Sequence, residues 1–219
     1  MIWDSLNALD RKRRLDRPII VVQIGANDGL HDDPIRHFIL HRGWEGLLIE
    51  PVPSIFKSLR ANYANAKGIR FENAAIGDTD GIQPFFYIDD PKDELPAWTH
   101  EVGSFFRDLV PNQVSGKDVT SYIRQIDVPC HSFRSVMAKH QLSKADVLVT
   151  DVQGFDDRII LQIPFDEIKP SIIVYESCLL DESSRARCEE LLKANGYTLE
   201  SDQWDTLASI APPIPAGQS

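Results

Sequence analysis

The 219-residue chain has only three cysteines, Cys130, Cys178 and Cys188, and no two of them form a CxxC pair. That odd, scattered set excludes a disulfide scaffold and a thiolate zinc site, and it predicts free thiols in a reducing cytoplasm. His131 follows Cys130, but neighbours on a strand point to opposite faces, which argues against a nucleophile and base. No apolar run approaches the roughly 18 residues that cross a bilayer. The N-terminus has no apolar segment of a secretory signal, so a cytoplasmic location and no membrane partner are expected. Basic residues are outnumbered, 23 Lys and Arg against 33 Asp and Glu, for a net charge of −10. This balance excludes a nucleic-acid backbone as partner. The one basic run, Arg11-Lys12-Arg13-Arg14, reads as the solvated face of an N-terminal helix. No His, Asp or Cys cluster has metal-ligand spacing, and no metal site is assigned. GxGxxG, the dinucleotide fingerprint, is also missing.

What is present is a strand, a glycine loop, a helix and a second strand ending in an acid. Ile19 to Ile24 is apolar and β-branched, as a buried parallel strand should be. Gly25 and Gly29 allow a tight turn and close approach of a ligand. Asp33 and Pro34 then predict a helix start, as N-cap and first helical residue. Leu47-Leu48-Ile49 leads to Glu50, which lies 21 residues after Gly29. That offset suits an acid accepting hydrogen bonds from ribose hydroxyls, and so predicts an adenosine-containing cofactor.

Strands and helices alternate along the rest of the chain. Expected strands are 46–50, 69–76, 82–88, 146–150 and 171–175. Expected helices are 3–16, 53–63, 132–141, 156–162 and 182–195. The pattern predicts an α/β fold, a doubly wound and mostly parallel Rossmann-like sheet, with its site at the carboxyl ends of the strands. Gly25, Gly29, Glu50, Asp78, Asp151 and Glu176 all fall at that edge. The expected organisation is an N-terminal helix in 1–18, one domain in 19–210 and a Pro-rich tail in 211–219. Residues 89–127 are weakly patterned and read as a mobile lid or substrate-binding segment.

Several of these motifs, in order, resemble the FkbM-type family of S-adenosylmethionine-dependent methyltransferases, from about Val21 to Leu199. The carriers are Val22-Gln23-Ile24-Gly25-Ala26-Asn27-Asp28-Gly29, Ile49-Glu50-Pro51-Val52-Pro53, Phe71 to Asp78, and Val149-Thr150-Asp151-Val152-Gln153-Gly154-Phe155-Asp156. The resemblance implies the class I methyltransferase architecture and S-adenosylmethionine as cofactor. It implies that Gly25, Ala26, Asn27, Asp28 and Gly29 bracket the methionine part, and that Glu50, with Pro51 beside it, holds the ribose hydroxyls. Ile76, Gly77 and Asp78 would flank the adenine, with Asp78 accepting from the exocyclic amine. Asp151 would face the methyl-transfer region. The chain departs from the family in carrying Gln153 and Asp156 where Glu is common, and Val149 or Thr150 where Lys is common.

The expected activity is O-methylation of a hydroxyl on a sugar or natural-product small molecule. A hydroxyl needs its proton removed before it attacks a methyl group, and Asp151 and Glu176 are the candidate catalytic acids. His100 and His131 are reserve bases. Two carboxylates can also hold Mg²⁺, although no metal is assigned. Two other functions share some features. An NAD-dependent oxidoreductase is disfavoured by the missing GxGxxG, whereas Gln153 would suit a non-catalytic cofactor-binding module. No feature of the sequence sets the oligomeric state.

Overall fold

The structure, a computed structural model, describes residues 1–13, 17–90, 92, 94–96, 98–99, 102–112, 114 and 116–210. The expected Pro-rich tail, the reserve base His100 and the end of the N-terminal helix run lie outside the described residues. The N-terminal helix α1 (Ile2–Arg13) precedes strand β1 (Ile20–Ile24), helix α2 (Arg36–Arg42), strand β2 (Glu45–Ile49), helix α3 (Pro53–Asn62) and strand β3 (Ile69–Glu72). Two-residue strand β4 (Ala75–Ile76), strand β5 (Gly81–Ile88), two-residue strand β6 (Gly103–Ser104), one-turn helix α4 (Leu109–Asn112) and strand β7 (Ile123–His131) follow. The chain continues through α5 (Phe133–Lys139), β8 (Val147–Thr150), α6 (Asp156–Gln162), β9 (Ile172–Glu176), α7 (Glu182–Ala194), β10 (Thr198–Ser201) and β11 (Asp205–Ser209).

Seven strands form the main sheet in the order β10-β11-β9-β8-β1-β2-β3. All its pairings are parallel except those of β11, which runs antiparallel to β9 and β10. β1, β2 and β8 are buried on both faces, which is why their sequences read as mostly apolar runs rather than alternating ones. Helices cover both faces. Val22, Leu148 and Ile173 pack under α5, α6 and α7, while Val21, Val147 and Ile172 pack with Leu6 of α1 and Phe38 of α2. Local chemistry sets several helix ends. Pro53 opens α3, Ser132 caps α5 through Ser135 N–H, Asp181 caps α7 through Ser184 N–H, and Gly43 ends α2 in the left-handed conformation. Among the described residues no helix is long and apolar enough to cross a membrane. The three cysteines are free thiols.

Two expectations need correction, and two parts of the chain show structure the sequence did not suggest. The 69–76 strand breaks after Glu72, because the Asn73 side chain donates to the carbonyls of Glu50 and Pro51 (2.8 and 2.9 Å), and Ala75–Ile76 moves to a second sheet. That second sheet has the order β4-β7-β5-β6. The 89–127 segment supplies β6, α4 and the start of β7, and its Leu95, Val102, Val110, Val114 and Val119 pack with Ile88 into a core of their own. Part of the segment thus forms a layer with its own buried side chains. Helix α2 starts at Arg36, two residues after Pro34, with Asp33 Oδ1 accepting from Ile35 and Arg36 N–H at 2.9 and 3.1 Å. Finally, β10 and β11 complete the sheet beyond the last strand the sequence suggested.

Candidate functional site

The strand register decides which side chains meet at the carboxyl edge. Gln23 pairs with Val149, Val149 with Val174, and Val174 with Leu207. Side chains alternate along a strand, so the next residues on the same face are Gly25, Asp151, Glu176 and Asp205. Asp205 lies directly opposite Glu176. A cavity of about 390 Å³ opens over these rows. That volume suits a small ligand largely enclosed by protein. Ile2 and Trp3 of α1 lie at one end of its wall; Val52, Ile76, Phe85 and Phe105 line an apolar end beside the second sheet.

The turn after β1 is shaped by backbone conformation. Gly25 has φ +77°, and a Cβ there would overlap the Asp151 carbonyl oxygen. Only glycine fits between β1 and β8 at this point. Gly25 and Ala26 N–H both bond the Ile49 carbonyl, at 3.0 and 2.9 Å, and Asn27 also sits at positive φ. This turn aims Asn27 N–H at Glu50 Oε2 (3.1 Å), while Val52 N–H binds Glu50 Oε1 (2.8 Å). Two backbone donors fix the carboxylate and leave lone pairs on both oxygens for a ligand. Burial, reinforced by the charge of Asp151, pushes Glu50 up to about 7.

Asp151 lines the cavity with its side chain exposed. Partial desolvation raises it; hydrogen bonds from Gln153 and Glu176 oppose that rise. Gln153 Nε2 donates to Asp151 Oδ1 at 2.7 Å and reaches Glu176 Oε1 at 3.3 Å, so one amide bridges the two acids. To do so Gln153 adopts φ +55°, and its carbonyl is held by Ser104 Oγ at 2.9 Å. Burial, then the charges of Asp151 and Asp156, push Glu176 up to about 9. Its Oε2 is buried and finds no donor among the described residues, as fits a carboxyl that carries the proton itself. Burial and Asp151 likewise bring Asp205 up to about 6. Asp156 plays a different part. It is fully buried, accepts from Thr150 Oγ1 (2.8 Å) and Val152 N–H (3.4 Å), and ties the loop down from below.

The residues suggested by the sequence divide into two groups. Gly25, Ala26, Asn27, Glu50, Pro51, Ile76 and Asp151 line the cavity. Asp28, Gly29, Gly77 and Asp78 do not. Asp28 accepts from Leu30 N–H and His31 in its own turn. Gly29 is required for packing, since a Cβ there would run into Tyr63 and Leu59 of α3. Gly77 packs against Cys130 Sγ. Asp78 points outward to Arg158 Nη1 (2.9 Å) over α6. Glu176 stands behind Asp151 as the partner of Gln153. Asp151 is not the cap of α6, whose N-terminus has no side-chain cap. His131 faces Glu72 and Lys139, away from Cys130, on the second sheet. Among the described residues no three His, Cys, Asp or Glu side chains converge as a metal site requires. The sequence reading missed Gln23, Asp205 and the aromatic wall. Gln23 carried a signal, as the one polar residue in the β1 run.

The electrostatics of the wall discriminate between cofactors. Five carboxylates line it (Asp32, Asp33, Glu50, Asp151 and Asp205), beside one histidine, His31, and among the described residues no lysine or arginine does. The buried Oε1 of Gln23 adds an acceptor with no partner among the described residues. Such a wall repels a pyrophosphate and attracts a ligand with cationic and hydrogen-donating groups. S-adenosylmethionine carries a sulfonium, an ammonium, ribose hydroxyls and an adenine amine, and fits such a wall.

The Methyltransferase FkbM domain family matches residues 23–199 of this chain. No curated protein matches it significantly. Similar solved structures include precorrin-6y C5,15-methyltransferase from Geobacter metallireducens GS-15, at 12% identity and a TM-score of 0.44, covering 94% of this chain and 88% of that one. The fibrillarin pre-rRNA processing protein of Methanococcus jannaschii is 14% identical, with a TM-score of 0.46 and coverage of 89% and 67%. An RNA methyltransferase from Salinibacter ruber, solved with S-adenosyl-L-homocysteine, is 14% identical, with a TM-score of 0.42 and coverage of 99% and 94%.

Proposed function

The chain belongs to the FkbM methyltransferase family and is an S-adenosylmethionine-dependent methyltransferase; we propose that it methylates a hydroxyl oxygen of a small molecule, of the sugar or natural-product type. The observation that carries this reading is the Asp151–Gln153–Glu176 arrangement on the cavity floor. S-adenosylmethionine, when bound, supplies an electrophilic methyl carbon on a sulfonium. Glu50 holds the ribose hydroxyls from two backbone-fixed oxygens, and the Gly25 turn gives the ligand room beside β1. Ile76, Val52 and Phe85 form an apolar slot suited to the adenine and exclude water from it.

Asp151 accepts the acceptor's hydroxyl proton as the oxygen attacks. The O–H bond breaks, a C–O bond forms, the C–S bond breaks, and the products are an ether and S-adenosylhomocysteine. Partial desolvation raises Asp151 and makes it a stronger base than a fully hydrated aspartate. Glu176, protonated, and Gln153 each donate toward Asp151 and fix its orientation. The reaction needs positioning more than covalent help, because it is a single in-line displacement. Val102, Gly103 and Phe105, from the 89–127 segment, border the cavity and are placed to select the acceptor. An enclosed acidic cavity and a net charge of −10 favour a small molecule over a nucleic acid.

The test is transfer of labelled methyl from S-adenosylmethionine to a hydroxyl-compound panel by wild type and Asp151→Asn. Turnover should fall roughly 10²–10⁴-fold in the variant while cofactor binding survives. Rates within a few-fold of each other would remove Asp151 from the chemistry.

A further inference from the structure

The loop that carries Gln153 is pinned at both ends of one peptide unit. On one side Asp156 accepts from Val152 and Gly154 N–H. On the other, Ser104 Oγ donates to the Gln153 carbonyl at 2.9 Å. Phe106 N–H donates to that same Oγ at 3.1 Å, so the hydroxyl proton is free to point at Gln153. Ser104 is fully buried. Gln153 and Gly154 stand at φ +55° and +93°, and a glutamine holds a left-handed backbone only where its surroundings impose it. The rest of the same segment closes over the loop. Leu109 of α4 leaves no room for a Cβ at Gly154, and Phe105 and Phe106 pack on Phe155 with 4.9 and 5.9 Å between ring centres. Side chains alternate along an extended chain, and Gly103 and Phe105 line the cavity while Ser104 reaches the loop. One short strand of the second sheet thus touches the cavity with one face and the Asp151 loop with the other.

Resting on the reading of Asp151 as proton acceptor, we propose that Ser104 is a positioning residue for the methyl transfer: it holds the Gln153 carbonyl, and through it the side-chain amide that orients Asp151. Without the hydroxyl, the Gln153 carbonyl loses its donor and the left-handed turn loses one of its two anchors. The peptide unit then rotates, and the amide leaves Asp151. Ser104 is not on the cavity wall, so it acts on the proton acceptor and not on cofactor affinity. The second sheet is thereby part of the reaction machinery, because a compound seated against Gly103 or Phe105 bears on the strand that sets Gln153.

The test uses the whole chain saturated with S-adenosylhomocysteine and follows the Asp151 carboxyl by carboxyl-carbon NMR across pH, with Asp151→Asn identifying its signal. Partial desolvation raises Asp151, and the bond from Gln153 opposes the rise. The other titratable groups that face it are Glu50, Asp156, Glu176, Cys178 and Asp205, and Ser104→Ala replaces none of them. Loss of the Gln153 bond in Ser104→Ala should therefore move the Asp151 midpoint up by about one pH unit. In a Gln153→Ala background, Ser104→Ala should add nothing, because its effect runs through Gln153. S-adenosylhomocysteine affinity should stay within about twofold of wild type in Ser104→Ala. The pH profile of methyl transfer to the hydroxyl compound that wild type uses best should move up with the titration. An unmoved midpoint, a shift that persists in the Gln153→Ala background, or a pH profile that stays in place overturns the proposal. Ser104→Cys, close in shape and a weaker donor, carries the same comparison if Ser104→Ala fails to fold. The two readings fail separately: wild type without turnover on any hydroxyl compound defeats the hydroxyl reading beneath, whereas the titration alone decides the hold of Ser104 on Asp151.

Discussion

Replacing Glu176 by glutamine should stabilise the cofactor-free protein, and by an amount that depends on pH. Burial and the charges of Asp151 and Asp156 move this carboxyl from its ordinary value of 4.5 to about 9. Between those limits the folded chain holds a proton that the unfolded chain releases. Stability therefore falls as pH rises through that window, by about 1.4 kcal/mol per unit. At pH 7 the folded state carries a cost of about 3 kcal/mol from this group, and at pH 5 less than about 1 kcal/mol. Glutamine has no such titration. It resembles the protonated carboxyl, accepting from Gln153 through its oxygen and donating to Asp151 through its nitrogen. Urea unfolding of wild type and Glu176→Gln at pH 5 and pH 7 should show a gain of about 3 kcal/mol at the higher pH and little at the lower. For a domain of this size, the pH 7 gain corresponds to about 6–12 °C in Tm. A gain equal at both pH values, or a loss at pH 7, would refute a protonated Glu176.

Other outcomes follow from the same geometry. Glu50→Ala should weaken S-adenosylmethionine by about 1.5–3 kcal/mol, or about 10- to 150-fold in Kd by calorimetry, because the ribose hydroxyls lose a fixed charged acceptor; unchanged affinity would remove Glu50 from the site. Asp78→Ala should leave cofactor affinity within about twofold and stability within about 1 kcal/mol, since Asp78 makes only an exposed pair with Arg158. A large loss of binding there would return Asp78 to the adenine. Gly25→Ala should cost at least about 2 kcal/mol in urea unfolding, from the left-handed backbone and the overlap with the Asp151 carbonyl; a variant as stable as wild type would show that the turn can relax.

The sequence by itself determined the α/β class, the main-sheet strands β1, β2, β3, β8 and β9 in chain order, the glycine turn and the acids at the carboxyl edge. It could do so because a strand buried on both faces must be apolar throughout, and because the polar residues that end such strands stand out against that background. The exact placement of α6, from Asp156 to Gln162, was also legible, since it follows a loop and carries its own periodicity. Only the tertiary structure decided the rest. β5 and β7 pair across 34 intervening residues in a second sheet, and no local pattern encodes which distant strand a short irregular one will meet. The role of each acid was equally nonlocal. Asp78, Asp156 and Asp205 look alike as carboxylates after strands or loops. One pairs with Arg158 at the surface, one ties a loop from inside, and one lines the cavity. Charge, burial and register around a side chain fix its role, and those come from strands far apart in sequence. Gln153 shows this most directly: its amide is placed between Asp151 and Glu176 by a left-handed backbone and by Ser104, 49 residues away.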